Sequence, residues 1–285
     1  MCYTFHMNII DGKALAQTIK NQIAIKAKEY HQKHGKQPGL AVVLVGADPA
    51  SEVYVRNKVK ACEQIGIKSF VHKFEETATE KDVVKLVKNL NKDKEVNGIL
   101  VQLPLPCGLD EEKILSVIDP KKDVDGFHVD NAGALFLGKP CLTACTPSGI
   151  IELVKSTGVN MEGKHAVVIG RSNIVGKPVA MLLLAQGCTV TICHSKTKDL
   201  PALTKQADIL VVAIGRKHFV TGEMIKPGAI VIDVGINRQE GKIYGDVDFE
   251  QAKDIAGHIT PVPGGVGPMT IAMLLSNTLS ACLKS

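Results

Sequence analysis

Apolar residues along this chain fall into two recurring patterns that alternate almost from end to end. Residues 11–34 carry Leu15, Ile19, Ile23 and Ile25 close to helical spacing, which predicts an amphipathic helix. GLAVVLVG (39–46) is a continuous apolar run bounded by glycine, the signature of a parallel strand buried on both faces. A helix over 51–65, a strand SFVHKF (69–74) and a helix over 80–91 follow, the last with Val83, Val84, Leu86, Val87 and Leu90 apolar. GILVQLPLP (98–106) reads as a third buried strand that ends in prolines, which cannot continue a central ladder. These segments predict a βαβαβ unit.

Residues 119–147 are irregular and rich in Gly, Pro, Asp and Cys, and read as an inter-domain connection with a short helix inside. A helix begins at Ser148. A second alternating series then runs from the strand HAVVIG (165–170) through a helix over 177–186, a strand CTVTIC (188–193), a short helix near 200–205, a strand ADILVVAIG (207–215) and a strand AIVIDVG (229–235). GKIYGDVDF looks like a hairpin arm, HITPVPGGVGP a turn, and 270–283 a terminal helix with Ile271, Leu274, Leu275, Leu279 and Cys282 apolar. The fold class expected is α/β in two domains: an N-terminal α/β catalytic domain over 1–145 and a Rossmann-like domain over 146–269, with a cleft between them.

The bulk numbers agree with that division. A chain of 285 residues suits two domains rather than one. Hydrophobic content of 45% with 22% charged residues is globular. No apolar run is read as approaching the roughly 18 residues of a bilayer span, and MCYTFHMNIIDGK has neither the basic nor the apolar region of a secretory signal. Met7 is an alternative start. A formal charge of +5, spread without a basic block, excludes a nucleic-acid footprint and suits an anionic small ligand. Eight cysteines include no C-x-x-C pair; Cys141 and Cys145 are the nearest, too little for a metal site, and reduced thiols in a cytoplasmic protein are expected.

GRSNIVGKP (170–178) follows a buried strand and opens a helix, the place where a Rossmann half binds pyrophosphate against backbone and a helix N-terminus. Gly170, Ser172 and Gly176 are small, as close backbone approach demands. The spacing is G-x-S-x-x-x-G rather than G-x-G-x-x-G, so a purely structural turn stays open. About 20 residues further on, where an NAD enzyme places an acidic residue for the ribose, the chain reads His194-Ser195-Lys196. A hydroxyl and a base there, with Arg171 in the glycine turn, favour the 2′-phosphate of NADP; a solvated loop is the alternative.

SEVYVRNKVKACE places Tyr54 and Lys58 at i and i+4 on one helix face. The ring can lie under a ring substrate and the amine can act as electrophile or base. A surface pair is the other reading. Gln102 stands at the carboxyl end of a predicted strand, where open α/β sheets bind ligands. Asp123 and Asp125 lie in KKDVDGFH, either capping a turn or accepting hydrogen bonds from a substrate.

Those segments carry a resemblance. YVRNKVKACEQIGI, GILVQLPLP, KDVDGFH, CTPSG, VVIGRSNIVGKP, TICHSKT, IVIDVGINR and ITPVPGGVGPMT resemble, in order and over nearly the whole chain, the bifunctional methylenetetrahydrofolate dehydrogenase/methenyltetrahydrofolate cyclohydrolase family. Ala144 departs from the proline expected before Cys145-Thr146-Pro147. The resemblance implies NADP-dependent oxidation of 5,10-methylenetetrahydrofolate and hydrolysis of the methenyl product to 10-formyltetrahydrofolate, without a metal. It implies Lys58 as the catalytic group, Tyr54 stacking on the aminobenzoyl ring, Gln102 tuning Lys58 and Asp125 holding the pterin. Val55, Val101, Leu103 and the turn Pro263, Gly264, Gly265, Val266 and Gly267 would line the folate side. Gly170, Arg171, Ser172, Ser195 and Ile236 would contact NADP. It also implies that the helix 270–285 packs back on the first domain and that the chain is a homodimer through its NADP domains, with no nucleic-acid or membrane partner.

Two rivals remain. A short-chain dehydrogenase also uses a Tyr/Lys i,i+4 pair, but after its glycine turn; here Tyr54 and Lys58 precede Gly170. A silent NADP-binding module would not need Lys58, Gln102 and Asp125 together.

Overall fold

The computed structural model describes residues 8–284, so the alternative start at Met7 lies outside the described residues. A two-residue strand β1 (Asn8–Ile9) and a long helix α1 (Gly12–His34) come first. The strands β2 (Gly39–Val45), β3 (Lys68–Phe74) and β4 (Gly98–Val101) then alternate with helices α2 (Pro49–Gln64) and α3 (Glu80–Lys92). A short helix α4 (Glu111–Leu115) precedes the irregular stretch, a second, α5 (Val129–Phe136), lies within it, and α6 (Cys145–Ser156) closes it. The second series is β5 (His165–Ile169), α7 (Gly176–Ala185), β6 (Thr189–Cys193), α8 (Leu200–Thr204), β7 (Ile209–Val212) and β8 (Ile230–Asp233). The hairpin β9 (Asn237–Gln239) and β10 (Lys242–Tyr244), helix α9 (Phe249–Ala252), strand β11 (His258–Ile259) and helix α10 (Val266–Leu283) complete it.

Local chemistry explains the helix starts. Asp48 accepts from the Ser51 amide at 2.8 Å and Pro49 stands at the first helical position of α2, where a missing N–H costs nothing. Thr79 and Asp82 form a reciprocal capping box at the start of α3. β4 stops at Val101 rather than running to residue 106. Gln102 still donates its amide to Val43 at 2.9 Å, but Pro104 follows a cis Leu103–Pro104 bond and has no N–H for the ladder. α10 starts at Val266, four residues before the expected Thr270, because Pro268 in a first turn leaves no helical hydrogen bond unmade.

The described chain divides into two units, residues 8–16 with 146–270 and residues 17–145 with 271–284. The expected first domain began at the N-terminus, whereas residues 8–16 group with the later half. The reason is the parallel pairing of β1 with β11, Asn8 opposite His258 and Ile9 opposite Ile259.

The unit of residues 17–145 and 271–284 is built on a parallel sheet of order β3-β2-β4. Ala41, Val43 and Val45 of β2 and Ile99 and Val101 of β4 pack with Val83, Val87 and Leu90 of α3 and with Ile114. Asn277 of α10 donates to the carbonyls of Val124 and Thr143 at 2.8 and 2.9 Å. α10 is 18 residues long with a mean hydropathy of 1.4, so one segment does reach bilayer length by composition. The sequence reading missed it because Thr, Ser and Asn interrupt an uncharged run. Leu274, Leu275 and Leu279 are buried, which makes these residues part of a core.

The unit of residues 8–16 and 146–270 carries a six-stranded parallel sheet of order β1-β11-β8-β7-β5-β6. Val167, Ile169, Leu210, Val212 and Val231 fill one core. β6 lies on one side of β5 and β7 on the other, so the winding reverses there. In such sheets ligands bind beyond the carboxyl ends of the strands at that switch point.

Candidate active site

Lys58 and Tyr54 lie one turn apart on α2, both half-buried. Gln102 follows β4, 9% exposed, and its side-chain oxygen accepts from Lys58 Nζ at 3.0 Å. Its own amide nitrogen donates to the Leu103 carbonyl at 2.6 Å, which fixes which end of the amide faces the lysine. The amine is therefore held by a neutral acceptor at the carboxyl end of a parallel strand. Val55 and Val101 are 4% and 2% exposed, so their side chains belong to the core and only their backbone can meet a ligand.

The two aspartates of KKDVDGFH have separate jobs. Asp123 is buried and accepts from the amides of Gly126 and His128 and from Asn131 Nδ2, at 3.2, 2.8 and 2.9 Å. It is the turn cap. The Asp125 carboxyl takes none of these bonds. Burial pushes its carboxyl up to about 6, with Asp123 adding to the rise, while the Lys58 charge and a hydrogen bond from Cys145 pull it down. Cys145 is buried, which drives its thiol well above the ordinary range and keeps it a donor, bonded also to the Val124 carbonyl at 3.2 Å.

In the other unit, Gly170 directly follows β5 at φ +123°, and a Cβ there would lie 2.2 Å from the Ala213 carbonyl oxygen. A Cβ on Gly176, the first residue of α7, would lie 2.2 Å from the Gly170 carbonyl oxygen. Only glycine lets the strand end, the next strand's loop and the helix start approach this closely. Ser172 Oγ accepts from the amides of Val175 and Gly176, both at 3.2 Å, so the hydroxyl organises the helix N-terminus and keeps its own hydrogen to donate. Arg171 and Ser195 are exposed, beyond the ends of the neighbouring strands β5 and β6. Ile236, 49% exposed, lies just past β8. Pro263 and Gly264 form the turn after β11, and Gly265 precedes α10, whose first two residues are Val266 and Gly267. The Gly265 carbonyl leaves no room for a Cβ on Gly12, which would come within 1.9 Å.

Comparison with known proteins agrees with this arrangement. Residues 10–125 match the tetrahydrofolate dehydrogenase/cyclohydrolase catalytic domain, and residues 144–285 match the NAD(P)-binding domain of the same family. The chain belongs to that family. It is 58% identical over 278 residues to bifunctional protein FolD of Burkholderia ambifaria, covering 97% of each chain. It is similar in structure to the bifunctional FolD methylenetetrahydrofolate dehydrogenase/cyclohydrolase of Campylobacter jejuni, with a TM-score of 0.96, 50% identity, and 98% and 99% of the two chains covered. The Trypanosoma brucei methylenetetrahydrofolate dehydrogenase-cyclohydrolase, solved with NADP and an inhibitor, gives a TM-score of 0.93 at 38% identity over 97% of each chain. As a member of the tetrahydrofolate dehydrogenase/cyclohydrolase family the chain is a bifunctional enzyme, oxidising 5,10-methylenetetrahydrofolate and hydrolysing the methenyl product to 10-formyltetrahydrofolate.

Family membership disposes of both rivals. The structure also adds residues that the sequence reading left out. Cys145 was weighed only with Cys141 as a metal ligand and as part of CTPSG, and nothing in its spacing announces a thiol beside Asp125. Asp233 and Asp246, both buried, were passed over as members of IVIDVG and GDVDF.

Proposed function

We propose that both steps use one folate pocket around Lys58, Gln102 and Asp125, and that the oxidant is NADP held by the turn after β5. The observation that carries this reading is the 3.0 Å bond from Lys58 to Gln102, which presents an oriented amine beyond the end of β4. Residues 17–145 with the end of α10 act as the folate-binding catalytic domain, and residues 146–270 as the NADP domain. The glycine cradle at Gly170 and Gly176 suits a pyrophosphate, since a Cβ at either would meet backbone. Arg171 and Ser195 hold the 2′-phosphate, and Ile236 lies against the cofactor. Bound NADP+ accepts the hydride of the methylene carbon.

The chain's own residues do the rest. Tyr54 stacks on the aminobenzoyl ring, Asp125 accepts from the pterin's amino and amide groups, and Leu103 lines the folate. For the oxidation, this positioning is the main requirement, because the ring nitrogens already push the hydride out. Hydration needs a proton moved from the attacking water and returned to the leaving ring nitrogen, and Lys58, steadied by Gln102, moves it.

Asp125→Ala tests the shared pocket. Unpairing buried donors costs about 1–3 kcal/mol, so both activities fall together and folate binds about tenfold or more weakly. Normal folate binding in that variant would reduce Asp125 to a turn residue. The carboxyl titrates at about 6. Above that it is an ionised acceptor; as pH falls through it the acceptor is protonated, and the folate KM rises. Asp125→Asn flattens this dependence, and a wild-type KM unchanged between pH 5 and 7.5 contradicts it. The stability sign is opposite. The folded carboxyl holds its proton more tightly than the unfolded one, so the ionised form costs stability above about 6 and that cost is relieved below it.

The enzyme is a homodimer through its NADP domains and works in the cytoplasm. β6 supports the dimer as an edge strand with unpaired backbone, beside exposed Ile192 and Leu184. Sedimentation at micromolar concentration should give twice the chain mass; a monomer removes the dimer. The described cysteines form no disulfide, which suits a reducing compartment.

A further inference from the structure

Two carboxylates are buried at the carboxyl end of the six-stranded sheet, and backbone amides rather than cations receive them. Asp246, fully buried between β10 and α9, accepts through Oδ2 from the amides of Ile214 and Gly215 at 2.8 and 2.9 Å. Through Oδ1 it accepts from the Arg216 amide at 2.8 Å and from Asn237 Nδ2 at 2.9 Å. Three successive amides of this kind make a concavity for an anion, and here the chain's own carboxylate fills it. Asp233, the last residue of β8, accepts from the amides of Gly235 and Asp246 through Oδ1 and from Val247 through Oδ2, each at 2.9 Å. One carboxylate thus seats the residue that carries the other. Gly235 and Gly245 make the room: a Cβ on either would lie 2.3 Å from Asp246 Oδ1 or 1.8 Å from Asp233 Oδ2.

The segments tied together here are those that frame the glycine turn. Ala213, whose carbonyl presses on Gly170, immediately precedes the three amides bound by Asp246. Ile236 sits between Gly235, packed on Asp246, and Asn237, which donates to it. We infer that Asp246, seated by Asp233, is the positioning residue of the cofactor half: it sets the loop after β7 and the Ile236 segment without touching the cofactor. Because residues 214–216 spend their amides on Asp246, the pyrophosphate is left to the turn 170–176. The inference rests on the reading above that NADP is held by the turn after β5 and meets Ile236 past β8. A carboxylate is required because four donors converge on two oxygens; an asparagine would turn an NH2 toward some of them.

The test uses the full chain carrying Asp246→Asn. NADPH affinity is measured by its fluorescence, and methenyltetrahydrofolate hydrolysis is measured without nucleotide. Four donors that converge on the buried carboxylate lose part of their acceptor, so the NADPH Kd and the KM for NADP+ rise about tenfold or more. NAD+ weakens alongside, because the framing segments serve both nucleotides. Hydrolysis, performed by residues of the other unit, stays within about twofold. An Asp246→Asn chain that binds NADPH like the wild type overturns the inference, as does one that loses hydrolysis and NADPH binding in equal measure. A wild-type chain that binds no NADPH would instead sink the cofactor reading. Should Asp246→Asn fail to fold, Asn237→Ala removes a single donor and should raise the NADPH Kd about two- to tenfold; an unchanged Kd there also overturns it.

Discussion

Replacing Lys58 by Met should abolish most of the cyclohydrolase activity while sparing much of the dehydrogenase. Methionine retains the apolar stem on α2 and deletes the amine that bonds Gln102 at 3.0 Å. A positioned acid/base typically supplies about 10²–10⁴-fold in rate, and hydration should fall by that order. Hydride transfer depends on alignment, which the proposed contacts of Tyr54 and Asp125 would still provide. The two steps are followed separately, hydration by loss of methenyltetrahydrofolate absorbance and oxidation by NADPH formation. Wild-type hydration in Lys58→Met would return Lys58 to the status of a surface lysine. Gln102→Ala refines the point: without its acceptor the Lys58 amine is no longer held in place, and hydration should fall more than hydride transfer.

Arg171→Ala should separate the two nicotinamide cofactors. Arg171 is exposed directly after the Gly170 turn, and the proposed partner is the 2′-phosphate, which NAD lacks. A charge-assisted hydrogen bond contributes about 1.5–3 kcal/mol, so NADP+ should bind about ten- to a hundredfold more weakly. NAD+ should change far less. Equal losses for both would mean that Arg171 acts on the turn and not on the phosphate. Comparison with Asp246→Asn is informative, because there both cofactors weaken together.

Much of this fold is legible because parallel strands buried on both faces leave continuous apolar runs, as in residues 39–45 and 230–232. Where apolar residues merely neighbour a strand, the reading overshoots: Leu103 and Leu105 extend the run after β4, but Pro104 between them and Pro106 after them end the ladder. β1 was invisible because two residues carry no period, and its pairing with β11 draws residues 8–16 out of the expected first domain. α4 and α9 are too short to show a helical stripe, whereas α5 is the short helix expected inside residues 119–147.

The site divides in the same way. Lys58 and Gln102 could be found because helix position and strand end are sequence properties. The split between Asp123 and Asp125 could not, since it depends on which carboxyl meets the amides of Gly126 and His128. Asp233 and Asp246 leave no spacing signature at all. Their partners are backbone amides brought close by folding, and backbone amides look alike in every residue.

The most direct measurement combines both steps on the purified chain. Given 5,10-methylenetetrahydrofolate and NADP+, it should form NADPH and 10-formyltetrahydrofolate in step, with little methenyltetrahydrofolate accumulating, and Lys58→Met should form NADPH while methenyltetrahydrofolate builds up. A wild-type chain that binds NADPH but reduces no NADP+ in the presence of the folate, or a Lys58→Met chain that carries the product through to the formyl compound at the wild-type rate, would contradict the account.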